Sequence, residues 1–480
     1  MPVSETVPHS QPSGLNHKER SLYLVLGTAA LPAILVHLLW AIFPDSALVQ
    51  SGNWLIWLAA GLGFLGVFLL TRYSWPKNSL LENLSCSLVS VAAPFIILSY
   101  LQDVTAYPFK LSWSEGNRFY DYSLVFGKYL YQADKPPEML YNEPGRYALW
   151  GILFVIPGLP IWVHRLWNAL LFTIPLLCVG ALLARWAFRR SMHRWHFALW
   201  IFTFLSQGPI YPSLVISALV VLASARWKRL GWKAAAVFLA GYYAALSRWT
   251  WLAAPGVWAG MIAFLWDEHD PRVDRWGKLP ASKQTILEAL LLGVSGILGG
   301  ILAKPGLLLA PQQSTGFALQ QPLLWYRLFP NATFGPGIVL ALALAAGPLT
   351  LLLAWLALGR FWRLSWLQAA AAALPSLAFL AMGTVASTKI GGVSNLHNLD
   401  MFLISLAILS ALAARALILK GRPLWWDSSR AMIRIPIQAI MAFAILAPTW
   451  QALQLGGPVR LPSQEIVTQT LKTIQAEVDQ

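Results

Sequence analysis

The residue in this chain best placed for acid–base chemistry is Glu115. It lies near the start of the segment 113–131, WSEGNRFYDYSLVFGKYLY, in a long polar loop between apolar runs. Read as a helix, the segment puts Phe119, Tyr122, Phe126 and Leu130 on one apolar stripe, with Glu115 one turn earlier on the same face. Asn117, Asp121 and Lys128 share a polar face. Such a helix lies along a bilayer surface with one carboxylate turned toward the apolar side. A carboxylate short of water has a raised pKa and suits proton transfer. A second reading stands beside this one. Ser112-Trp113-Ser114-Glu115 also fits S-x-x-E, in which the glutamate only closes a helix start.

The elements that must hold this loop are membrane-spanning. The chain has 480 residues, 57% hydrophobic and 11% charged. Thirteen apolar runs recur, at 21–43, 53–72, 83–101, 164–187, 195–208, 210–225, 231–247, 250–266, 284–303, 337–357, 364–385, 399–417 and 435–452. Runs of about 20 apolar residues match a hydrocarbon core. The expected fold class is an all-α polytopic membrane protein of about 13 transmembrane helices with external juxtamembrane helices. Residues 1–20 read as a disordered cytoplasmic N-terminus, 21–452 as the transmembrane domain and 453–480 as an external tail. The tail fits an amphipathic helix through Ile466, Val467, Leu471, Ile474 and Val478. Residues 147–161 are apolar but short and broken by Pro157 and Pro160, so they read as a re-entrant or interfacial helix.

The net charge of +15 has no basic domain behind it, which argues against a nucleic-acid partner. Roughly two thirds of the Lys and Arg fall on one set of alternate loops, so the positive-inside rule places the N-terminus in the cytoplasm and the C-terminus outside. That orientation puts external loops at 102–163, 311–335 and 386–398. The Glu115 loop, the Arg248 turn, the Arg327 loop and the Lys389 loop then share one face. Cys86 and Cys178 fall inside predicted spans and suggest neither a disulfide framework nor a metal site.

The order of these parts resembles the GT-C superfamily of integral membrane glycosyltransferases, nearest the protein O-mannosyltransferase and aminoarabinose transferase branch (family 39 type). Ser114-Glu115-Gly116 stands where that group has its acidic motif, and Gly127-Lys128-Tyr129-Leu130-Tyr131 resembles its continuation. Tyr141 to Tyr147 and Gly151 to Pro160 resemble the re-entrant segment. His164-Arg165-Leu166-Trp167-Asn168-Ala169-Leu170 resembles the opening of the next span. The chain departs from the pattern in having Ser114 for the first acid and two spans, rather than one, before the loop.

The resemblance implies a polyprenyl-phosphate-sugar donor reached from the outer leaflet, with transfer by single, inverting displacement. Glu115 would be the base that takes the acceptor proton. Arg248 and Lys389 would hold the departing phosphate, with Arg118 and Arg165 as further candidates. Arg248, in LSRWTW, also reads as an interfacial anchor. Lys389 opens the turn KIGGVSN, which resembles an external loop of several GT-C branches and also fits an ordinary tight turn. Asn395, His397, Asn398, Asp400 and Asp121 are the candidates for sugar or acceptor hydroxyls. No cofactor or metal is expected, because no ligand cluster has metal spacing. The partners expected are the lipid-linked sugar and the bilayer, and the compartment is the plasma (inner) membrane. Two alternatives use the same face or the same spans: an O-antigen-type polymerase or ligase, and a transporter or lipid flippase, which would favour inverted repeats or mid-membrane charges.

Overall fold

The computed structural model describes residues 17–43, 46, 54–111, 115–124, 143–188, 192–266, 281–304, 322–332, 335–390, 396–419, 431–454 and 461–479. Among them the chain is helical, with no strand. Eight helices are long and apolar enough to cross a membrane. They are α1 (His17–Ile42), α2 (Trp54–Ser74), α3 (Leu80–Leu101), α6 (Ile161–Ala187), α11 (Ala281–Ala303), α14 (Trp366–Ile390), α15 (Asp400–Leu419) and α16 (Ala431–Gln454). α12 (Gly337–Ala345) and α13 (Gly347–Leu358) together make a ninth, bent by 53°. The protein is a multi-pass membrane protein.

The other apolar runs are helical but short, so eight of the expected thirteen or so spans, or nine with the bent pair, have full crossing length among the described residues. α7 (Met192–Leu205), α8 (Pro212–Ser224) and α10 (Ala254–Leu265) have 14, 13 and 12 residues. At 1.5 Å per residue each is about 20 Å long, well short of a hydrocarbon core of about 30 Å. α9 (Leu230–Ser247) has 18 residues and carries Lys233. The breaks are local. Gly208 and Pro209 interrupt the ladder before Pro212 opens α8, and Arg248 leaves helical geometry at φ −163°, ψ 125° before a 3₁₀ turn at Trp249–Trp251. Hydropathy continues across these breaks; the helix does not. Two further short helices lie outside the spans: α4 (Glu115–Leu124) and α5 (Pro144–Gly151), the latter continued by a 3₁₀ turn at Ile152–Val155.

α15 is the hub. Apart from Asp400, Ser405, Ser410 and Arg415 it is apolar all round, and most of it is buried, whereas little of α1 is. Trp258 of α10 anchors it by donating its indole N–H to Ser405 Oγ at 3.0 Å. α9, α10 and α11 approach at backbone distance. A Cβ on Gly241 would sit on the Gly296 carbonyl oxygen, and one on Gly256 on the Gly293 carbonyl oxygen. Small residues let membrane helices pack by direct backbone contact. α1 and α2 form a separate cluster against α3, and Leu24, Leu62 and Leu69 point outward where lipid would lie. α17 (Gln464–Val478) is capped by Ser463, and no residue of it is buried.

Candidate functional site

The Glu115 loop is organised by a buried arginine. Arg165 sits in the second turn of α6, with its side chain 1% exposed. All five of its N–H donors are used. Nε donates to Glu115 Oε1 at 2.9 Å, and Nη2 to Glu115 Oε2 at 3.1 Å and to the Phe109 carbonyl at 2.9 Å. Nη1 donates to the carbonyls of Thr105 and Tyr107, both at 2.7 Å, and to Thr105 Oγ1 at 3.1 Å. The Leu111 N–H also donates to Glu115 Oε2, at 2.7 Å. The guanidinium therefore has no donor left for a phosphate, so Arg165 is a clasp for residues 105–115 and not an anion ligand. Both oxygens of Glu115 are likewise occupied, which fits a positioning carboxylate better than a free base. Asn168, one turn on, has a parallel task. Its Oδ1 accepts from Trp150 Nε1 at 2.7 Å, and Trp167 Nε1 donates to the Leu149 carbonyl at 2.9 Å, which bolts α5 to α6.

A second carboxylate stands beside this clasp. Asp103 begins the loop after α3 and keeps contact with solvent. Its pKa is raised to about 6, first by partial burial and then by the charge of Glu115, with Arg165 pulling the other way. Sequence reading missed Asp103, because it lies outside the amphipathic segment.

Arg248, His397, Asn398 and Asp400 come together although 150 residues separate Arg248 from Asn398. Arg248 Nη2 donates to Asn398 Oδ1 at 2.9 Å, and its guanidinium lies over the Trp251 ring, 5.6 Å from the centroid. Asp400 heads α15, where its Oδ1 accepts from the Met401 N–H at 2.7 Å, a favourable place for an anion. The Trp251 indole N–H faces Asp400 but lies outside hydrogen-bond geometry. Asn398 Nδ2 and Asp400 Oδ2 are buried with no hydrogen-bond partner among the described residues. The His397 ring meets Tyr211 edge-on at 6.3 Å. Both Arg248 and Arg118 are within electrostatic reach of that ring, so α4 carries Arg118 to the same place.

Arg146, which the sequence reading did not single out, completes the cluster. It follows the Pro-Gly pair that opens α5, pairs with Glu143 at 2.6 Å, and lies 5.3 Å from the Tyr147 ring centroid and 5.1 Å from that of Tyr211. Lys304, just past α11, is close enough to Glu143 to feel its charge; burial lowers the lysine pKa and Glu143 opposes that. α5 is seated closely, because a Cβ on Gly145 would lie 2.7 Å from Ser247 Oγ.

The short helices set the depth of this cluster. Because α7, α8 and α10 are about 10 Å too short to cross, the turns at 206–211 and 248–253 lie below the membrane surface if the opposite helix ends lie at the other one. Irregular backbone at that depth must be satisfied by protein or line a cavity. Gln207 supplies part of this. Its Nε2 donates to the Phe204 and Ala345 carbonyls at 3.0 and 3.3 Å, and Gln451 Nε2 donates to the Gln207 carbonyl at 2.9 Å.

The remaining candidates lie elsewhere. Lys389 is on the last turn of α14. Gly383 of the same helix packs on the Asn398 carbonyl, so Lys389 stands about 9 Å farther along the axis. Arg327 Nη1 reaches the carbonyls of Lys389 and Thr388 at 3.2 and 3.4 Å, and so caps the end of α14. Asn395 lies outside the described residues, as do Ser112–Ser114 of the S-x-x-E match. Asp121 is on α4, but its side chain is outside the described set. Among the described residues no group of three or more His, Cys, Asp and Glu could hold a metal ion. No family model and no curated protein matches the chain.

Proposed function

We propose that this chain is a GT-C-like membrane glycosyltransferase that moves a sugar from a polyprenyl-phosphate donor to a hydroxyl acceptor. The observation that carries the reading is the convergence of Arg248 on Asn398 and Asp400, with their unpartnered polar atoms, of Arg118 on His397, and of Arg146 on Tyr147 and Tyr211. Three guanidinium groups in a recess favour a phosphate, and aromatic walls favour the apolar faces of a sugar or prenyl chain. An unpaired amide donor beside an unpaired carboxylate oxygen matches sugar hydroxyls, which both accept and donate.

In this mechanism Arg248 and Arg118 hold the phosphate. The acceptor oxygen bonds to the anomeric carbon as the bond from that carbon to the phosphate oxygen breaks. The lipid phosphate leaves with the electron pair and the arginines stabilise its charge. The acceptor proton passes to a carboxylate. We assign that step to Asp400, whose Oδ2 has no hydrogen-bond partner beside Arg248 and Asn398, and give Glu115 the task of fixing α4 and Arg118. Counting the short helices as crossings gives thirteen passes, with the N-terminus cytoplasmic, the recess facing outward and the C-terminus external.

The test is to purify the full chain in mild detergent and identify co-purifying lipids by mass spectrometry, beside Arg248→Ala, Arg118→Ala and Lys389→Ala. A polyprenyl-phosphate sugar held by the wild type and lost in the first two variants supports the reading and gives the sugar by its mass. Bulk phospholipid alone in every sample, with no such lipid recovered even from the wild type, sinks it and favours the transporter reading.

A further inference from the structure

The bundle holds a second feature at the end opposite the arginine cluster. A mostly apolar cavity of about 200 Å³ is bounded by α3, α7, α13, α15 and α16. Its walls include Trp200, Leu352, Leu356, Leu417, Met441 and Ala444. From Leu349 to Leu356 on α13, and from Ser410 to Ile418 on α15, the lining runs about 11 Å along the helix axes. Its polar groups gather at one end. Glu82 lies in the first turn of α3, His193 and His196 begin α7, and Ser410 is the deepest hydroxyl in the lining. His196 Nε2 is bonded to Ser85 Oγ at 2.8 Å, and Glu82 accepts from the Ser79 N–H at 2.8 Å in its capping box.

Water has few partners in a space walled by leucine, whereas the medium around these helices is lipid chain. The rim also has a sign. Arg194 reaches the carbonyl of Phe188, a lining residue, at 3.4 Å, and Arg185 stands in the last turn of α6. Glu82, the acid of the lining, is already engaged by its cap. A basic rim over an apolar shaft is complementary to an anionic headgroup over a hydrocarbon chain.

We propose that this cavity holds one acyl chain of an anionic phospholipid from the surrounding leaflet, with its phosphate at the His193–Arg194 rim. The site is separate from the arginine recess and does not depend on the transferase reading.

The experiment uses the full chain in phosphatidylcholine vesicles containing a phosphatidylglycerol with a diazirine in one acyl chain. After irradiation, labelled peptides are mapped by mass spectrometry. Labels are expected on the cavity-lining segments of α13, α15 and α16. Ala413→Trp should lower that labelling by about tenfold, and Leu351→Trp, on the exposed side of α13, should leave it unchanged. Leu352→Phe fills the same space should Ala413→Trp fail to fold. A phosphatidylcholine probe with the same chain should label the cavity less, and His193→Ala/Arg194→Ala should remove that preference. Equal cavity labelling in wild type and both filled variants overturns the proposal, as does equal labelling by the two headgroups. It also fails if the wild-type cavity stays unlabelled because another segment of the chain or a second copy occupies it.

Discussion

Replacing Arg165 tests whether the acidic helix is held by one clasp. Arg165→Met keeps the aliphatic bulk and removes all five donors. Glu115, whose side chain is 15% exposed, would then keep only the Leu111 N–H. Breaking a buried ion pair from one side costs about 3–5 kcal/mol, because the orphaned charge cannot be rehydrated fully. The carbonyls of Thr105, Tyr107 and Phe109 add little to that figure, since these half-buried loop residues can reach water. Glu115→Gln keeps an acceptor for Leu111 and Arg165 Nη2 but turns its amide NH2 against Arg165 Nε and leaves the buried guanidinium uncompensated, so it should cost a comparable amount, about 3–5 kcal/mol. The double variant removes the orphan along with the clasp, so it should be less damaging than the two single effects added together.

The loss should appear first as local opening of residues 102–124 and not as unfolding of the bundle, which does not depend on this loop. Limited proteolysis in the fast-reclosing regime reads the open fraction directly. At 1.4 kcal/mol per decade, 3–5 kcal/mol corresponds to cleavage faster by about two to three and a half orders of magnitude. Cleavage of Arg165→Met within about threefold of wild type would refute the clasp, since an effect that small is below 1 kcal/mol. Strict additivity in the double variant would refute the direct coupling.

Three other predictions test separate parts of the structure. Asp103 has a raised pKa, so between about pH 4 and 6 the folded loop holds a proton that the unfolded chain has released; loop stability falls as pH rises through that window, and Asp103→Asn flattens the profile. Gly241→Ala pushes α9 off the Gly296 backbone and should lower thermal stability by about 1–3 kcal/mol, measured by unfolding in detergent. Lys233→Met leaves Glu288, its partner at 2.6 Å, unpaired and should cost about 3 kcal/mol; Lys233→Met/Glu288→Leu should recover most of it.

What could be read without the structure follows the range of each interaction. Apolar runs are local, so all thirteen were visible and all thirteen are helical. The breaks at Gly208 and Arg248 are local as well, so the short runs meeting at 207–209 and the junction at 247–249 were visible, whereas the length of each helix across a membrane was not. The stripe of the acidic segment was half testable. Phe119 and Tyr122 do pack into the aromatic cluster with Tyr147, Trp150 and Phe172, while Phe126 and Leu130 lie outside the described residues. Pairings across 50 or more residues were not visible. The charge of Arg165 could be seen but its acceptors could not, so it was read as open to phosphate. Arg248 and Asn398 were placed on one face by loop parity, which gives a side of the membrane but no distance. Arg146 carried no periodic or spacing signal, and only the fold brings it to Tyr211.

The buried polar atoms near Arg248 weigh on what the recess is for. An unsatisfied buried donor or acceptor costs about 1–3 kcal/mol, and this cluster contains three, Asn398 Nδ2, Asp400 Oδ2 and the Trp251 Nε1 that faces Asp400. Leucine in place of Asn398 or Asp400 would avoid that cost and extend the apolar surface that α15 already presents to its neighbours. Stability alone therefore gives no reason for an amide and a carboxylate there. The Arg248 bond explains Asn398 Oδ1, the helix N-terminus explains Asp400 Oδ1 and the Trp251 N–H faces the carboxylate, but none of them meets Asn398 Nδ2 or completes a hydrogen bond to Asp400 Oδ2. A bound ligand that accepts from the amide and donates to the carboxylate would account for both, and a hydroxyl next to a phosphate meets that description. The shortened helices fit this, because their ends at 206–211 and 248–253 bring these buried atoms together between helices. Bilayer anchoring would account for Arg248 but not for the unpaired atoms beside it, so the cluster is better explained as a ligand site than as an interfacial belt.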